Sequence, residues 1–217
     1  DAPDGDTGNL VLSTGAATGG TGGNLYMYVG AGDTGKGGSV NIKAGDSSSG
    51  TDTSDGSGGD VLVTSGFGTV GSSGMVYIST ANGGVRTSPA NPANSQDGGV
   101  SGAITLSTGT STQGDSGALV FRSGNTVAGT GGAIEIGVGS GTSGNGGAVT
   151  VTAGSSSAAV GGTMTITSGA SSADDSGAVS VKSGGTGTGG DTGVVTVASS
   201  DAPDGDTGNL VLSTGAA

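Results

Sequence analysis

The chain has 217 residues, 53 of them Gly and only five Phe or Tyr, with no Trp, Cys or His. This excludes a large aromatic core, a disulfide framework and a zinc site built from thiolate or imidazole. Seventeen acidic residues against five basic ones leave a net charge of -12, which opposes binding to nucleic-acid phosphates and anionic membrane surfaces, and no apolar run approaches the roughly 20 residues of a membrane span.

The first patterned element stands at 8–15 as GNLVLSTG. The same pattern returns as GNLYMYVG at 23, GSVNIKAG at 38, GDVLVTSG at 59 and GMVYISTA at 74. It continues as GAITLSTG at 102, GALVFRSG at 117, GAIEIGVG at 132, GAVTVTAG at 147, GTMTITSG at 162, GAVSVKSG at 177 and GVVTVASS at 193. GNLVLSTG then recurs at 208. Most spacings are 15 residues, and the two long ones mark loops near 51–56 and 85–96, the second reading RTSPANPANSQ with the composition of turns.

In every unit the third and fifth residues are aliphatic, Met or Phe, as in Leu10/Leu12, Ile104/Leu106 and Met164/Ile166. Alternation with a period of two is the signature of an extended strand. The seventh residue continues the inward row, the fourth and sixth face outward, and the eighth, usually Gly, begins a turn. Between units the sequence is polar and rich in Gly, Ser and Thr, a tight return path. A Gly/Ser-rich chain of low charge density is also a candidate for disorder; the sustained period argues against that.

A strand, a turn and a return repeated every 15 residues predict an all-β fold, a thin parallel β-solenoid (β-helix) of about twelve coils in each 200-residue block. Residues 1–200 form one block, and 201–217 repeat 1–17 without a change, reading as the start of the next. The unit G-x-[VIL]-x-[VIL]-x-[ST]-G resembles the Gly/Ser/Thr-rich β-solenoids of extracellular repeat proteins, which include fibres, adhesin stalks and some antifreeze proteins. That resemblance covers the whole chain and implies architecture more than activity.

Four constellations are candidates for function. Asp175, Asp191 and Asp206 each stand two places before a leading Gly in three consecutive units. Stacked in register they would form a column for calcium, although capping of each turn by its own aspartate is the simpler use. Thr150, Thr165, Ser180 and Thr196 make an outward hydroxyl row, suited to O-glycans or a hydrated surface. The row is broken elsewhere by Asn41, Tyr77 and Glu135, which disfavours an ice-matching plane. No Asn-x-Ser/Thr acceptor exists, so N-glycosylation is excluded. Val11, Tyr26, Tyr28, Leu62, Tyr77 and Val120 place apolar side chains at outward positions, a candidate face for lateral contact or for stacking on carbohydrate.

Catalysis is disfavoured by inventory. The commonest acid, base and nucleophile pairs need His or Cys, and Lys36, Lys43, Arg86, Arg122 and Lys182 are dispersed. No cofactor is expected beyond calcium. The sequence therefore points to a structural protein, part of an extracellular or cell-surface filament, fibril or stalk built from tandem blocks and partnered by copies of itself. The alternative is a binding module, an adhesin stalk contacting glycans or, less favoured, an ice-binding protein.

Overall fold

A computed structural model of the chain describes residues 6–48, 56–84, 98–142, 144–187 and 189–215. The predicted loop at 85–96 and all but Gly56 of the loop at 51–56 lie outside these residues. The chain divides into two units, Asp1–Leu119 and Val120–Ala217.

The predicted β-solenoid is not formed. Among the described residues there is neither helix nor strand, and the chain runs as irregular coil punctuated by bends. An all-β assignment, a β-helix and a stack of coils in ladder register are all overturned by this finding. The physical reason lies in the hydrogen bonds. A ladder needs neighbouring segments to exchange N–H···O=C bonds over several residues, whereas the described residues make five backbone-to-backbone bonds, one at each of five separate places.

Coverage tells the same story. No described side chain is buried, because the returns between units carry almost no apolar residues to form an opposite wall for the aliphatic row. Exposure does not separate the predicted inward and outward faces, since outward Val120, at 58%, is better covered than inward Phe121, at 65%. Third-position side chains from Leu25 to Leu210 are 49–60% exposed, while those at the fifth position are 61–83% exposed. Leu10, at 87%, is the exception in the third row. The third place is thus somewhat better covered than the fifth, although both belong to the predicted inward row, and no side of the segment becomes a core.

What recurs instead is a closed loop. At eleven places from Gly23 to Gly193 the chain leaves the aliphatic segment and returns so that the next leading Gly lies against the seventh residue just passed, while Gly208 has no atom within 4 Å of an added Cβ. In Asp1–Leu119, a Cβ built on Gly23 would stand 3.5 Å from Thr14 Cβ, one on Gly59 3.5 Å from Ala44 Cβ, and one on Gly74 3.5 Å from Ser65 Cβ. In Val120–Ala217, the same holds for Gly132 with Ser123 at 3.4 Å, Gly162 with Ala153 at 3.6 Å and Gly177 with Ser168 at 3.6 Å. At most of these junctions the nearest atom would lie 3.4–4.0 Å from the added Cβ, an ordinary contact, so close approach demands glycine only at Gly38 and Gly147, where a Cβ would come within 2.6 Å of a Val methyl.

Four of the five backbone bonds clasp these loops at the base: Gly59 N to Gly45 O at 2.9 Å, Gly74 N to Gly66 O at 2.9 Å, Gly162 N to Gly154 O at 2.8 Å and Gly177 N to Gly169 O at 2.9 Å. The fifth, Gly99 N to Gly84 O at 2.7 Å, closes the loop that contains the long insertion. Bends at 112–114, 127–129, 157–159 and 172–174 keep the 15-residue period. Positive φ is used at Gly19, Gly35 and Gly189, where the return reverses through a conformation that other residues rarely adopt.

Candidate functional site

The repeated junction is the most regular feature of the molecule. The half-buried described residues are Ala44, Ser65, Gly68, Thr80, Ala153, Ser168 and Ala202, and five of these occupy the seventh position of a unit. Each of the five lies beside a leading Gly. At the first junction the seventh residue adds its own bond, Thr14 Oγ1 donating to Gly23 O at 3.3 Å. Where the seventh residue is Val the fit is tighter: a Cβ on Gly38 or on Gly147 would meet Cγ1 of Val29 or of Val138 at 2.6 Å.

A second recurrent device sits inside the loops. Ser111 Oγ accepts from Gly114 N at 3.0 Å, Ser156 Oγ from Ala159 N at 2.9 Å, and Ser171 Oγ from Asp174 N at 3.0 Å. Each of these serines is nine residues after a leading Gly. A hydroxyl that accepts from an amide three residues on supplies the bend with a partner no neighbouring chain provides. Thr186, at the equivalent place, instead donates to Gly190 O at 2.9 Å.

The hydroxyl row Thr150, Thr165, Ser180 and Thr196 is exposed throughout. With no sheet among the described residues to hold the four at a fixed spacing, the row is a set of accessible hydroxyls and not a flat array. The four hydroxyls of this row thus differ from Ser111, Ser156 and Ser171, which accept from the backbone within their loops.

Of the outward apolar residues, Tyr26 and Tyr28 are brought together. Their rings stack with centroids 5.7 Å apart and an interplanar angle of 13°. Asn24 Nδ2 donates to the Tyr26 hydroxyl at 2.8 Å, which fixes one ring of the pair from the same segment. Val11, Leu62, Tyr77 and Val120 are exposed, each on its own segment.

Asp175, Asp191 and Asp206 are exposed. Among the described residues there is no group of three or more acidic side chains that could hold a metal ion. The Gly177 amide, the capping target of Asp175 in the sequence reading, donates to Gly169 O. Asp175 itself donates its backbone N–H to Asp174 Oδ1 at 2.9 Å. Lys43 and Asp46 form an ion pair at 2.6 Å with both side chains about three-quarters exposed, a geometry in which water screens most of the attraction. Among the described residues no helix is long and apolar enough to cross a membrane.

Sequence reasoning did not anticipate the contact of the leading Gly with the seventh residue, or the bend serines. The second was visible as a hydroxyl recurring at 111, 126, 156, 171 and 186. The first had only an indirect signal, the preference for small residues at the seventh place. No family, curated protein or solved structure matches the chain.

Proposed function

We propose that the chain is a structural, length-giving segment of an extracellular or cell-surface filament or stalk, assembled from tandem 200-residue blocks and carrying no catalytic reaction. The observation that supports it most is repetition of one junction: a leading Gly set against the seventh residue of the preceding unit, at eleven places from Gly23 to Gly193. A chain that repeats one local closure many times adds extension with each repeat and builds no single concave site. The identity of 1–17 with 201–217 extends the same logic to the block.

Its surface chemistry agrees with that role. Exposed hydroxyls and a net charge of -12 keep a thinly packed chain hydrated. One, two and three joined copies of residues 1–200 would test the reading by X-ray scattering and imaging. A length-giving segment doubles its length when blocks double, whereas a random chain grows only about 1.5-fold. Growth along the second curve would end the proposal.

The stacked Tyr26–Tyr28 pair favours one second reading, an adhesin stalk that contacts glycans. Planar rings present apolar faces to the C–H faces of sugars while their hydroxyls stay wet. Saturable adsorption to a glycan array, lost in Tyr28→Ala, would support it; adsorption unchanged by that substitution would not.

A further inference from the structure

We infer that the aliphatic segments of this chain are covered by those of a second copy of the same chain. The inference deepens the filament reading by naming the partner that lies along the segment. Its first support is area. The chain exposes 20976 Å², whereas a folded monomer of its 19.6 kDa mass exposes about 8600 Å² and its fully unfolded chain about 28000 Å². A stable interface covers about 1600 Å² in total. The surplus is many times that, and it includes side chains such as Ile42, Ile136 and Val151 that are more than 70% exposed.

The second support is the distribution of charge. The thirteen patterned segments contain only Lys43, Asp60, Arg122, Glu135 and Lys182 as charged residues, and none of these stands at the third, fifth or seventh place. The segments are close to neutral, and the negative excess lies in the loops between them. Two copies can therefore lay segment against segment while their loops remain in water. A partner of another composition would have to match the 15-residue spacing; a second copy has it by construction.

The third support is the backbone. With five backbone-to-backbone bonds among the described residues, most N–H and C=O groups of the extended segments have no backbone partner among those residues. Main-chain groups so placed are a template for pairing with another extended chain. Copies lying side by side would exchange these bonds and bury the third- and fifth-position side chains together.

Sedimentation velocity and light scattering on the full chain, over a range of concentration and salt, read the outcome. Association is expected to rise with concentration and to strengthen as salt screens the like charges of the loops. Val149→Asp with Ile166→Asp should raise the concentration for half-association at least about tenfold. Thr150→Asp with Thr165→Asp, equal in added charge but outside the aliphatic row, should shift it much less. Equal shifts for the two pairs would overturn the inference, as would a chain that stays single at high concentration and high salt. Length that fails to scale with block number, in chains that nonetheless associate, would refute the filament reading alone; scaling without association would refute the inference alone.

Discussion

The junctions at Ala153–Gly162 and Ser168–Gly177 carry a small seventh residue where those at Val29–Gly38 and Val138–Gly147 carry Val, and the two kinds close differently. Beside Ala153 and Ser168 the backbones approach until Gly162 N and Gly177 N bond to Gly154 O and Gly169 O at 2.8 and 2.9 Å. Beside the two valines no such bond forms among the described residues, and the Val methyl occupies the space instead. A small seventh residue permits the clasp, and it is not sufficient: Ser123 and Ser183 face Gly132 and Gly193 without the bond. A large one replaces a directional main-chain contact by a side-chain contact.

The strongest way to break a clasp is to put an atom where the main chain must pass. A Cβ on Gly83 would run into the Gly99 carbonyl, and a carbonyl cannot rotate away as a side chain can. Gly83→Ala is expected to open the bond from Gly99 N to Gly84 O, with exchange of the Gly99 amide accelerated about tenfold in NMR. An unchanged exchange rate would show that the clasp does not protect that amide.

Exchanging the two kinds of junction comes next in size. Ala153→Val should push Gly162 away from Gly154 and remove one backbone bond, worth about 1 kcal/mol, so that the Gly162 amide exchanges about fivefold faster. Val138→Ala should do the reverse and slow the Gly147 amide by a similar factor. If both substitutions move their amides in the same direction, residue size is not what separates the two kinds.

Smaller still is the loss of a bend hydroxyl. Ser171→Ala removes the acceptor of Asp174 N and should speed exchange at Asp174 about two- to fivefold, while the Gly177 clasp, held by different atoms, keeps its rate. Acceleration at both amides would mean that bend and clasp open as one unit.

The least perturbing change is expected in the insertion. The Gly59 clasp has 13 residues between its ends and the Gly74 clasp has seven, yet both bonds measure 2.9 Å. Replacing residues 46–58 by the shorter stretch 67–73 should leave the Gly59 amide within about twofold of its original rate, since closing a loop depends only weakly on its length. A larger change would show that the insertion itself supports the clasp.

Much of the local design was legible from residue order. The 15-residue unit, the aliphatic third and fifth places and the turn-forming returns are patterns of residue type, but exposure does not follow the alternation: outward Val120, at 58%, is better covered than inward Phe121, at 65%. The step from that pattern to a stacked β-solenoid did not hold. Alternation specifies an extended segment with two faces; it does not specify which surface will cover the aliphatic one, and polar returns such as SGTSGNG offer none.

Among the candidate residues, the pairing of Tyr26 with Tyr28 follows from their separation by two, which puts both rings on one side of an extended chain. The solitary exposure of Asp175, Asp191 and Asp206 did not follow, because a column of carboxylates requires register between units and register is a property of ladders.

By itself the sequence determined period, charge and the places where the chain is small. Those depend on residue type at a fixed spacing, and local sterics act on nothing else. Tertiary structure alone decided how the period closes: by a glycine laid against the seventh residue, with a main-chain bond at the loop base at Gly59, Gly74, Gly162 and Gly177. That choice rests on how nearly two stretches of chain can approach, down to the two methyl groups that separate Ala153 from a residue the size of Val138.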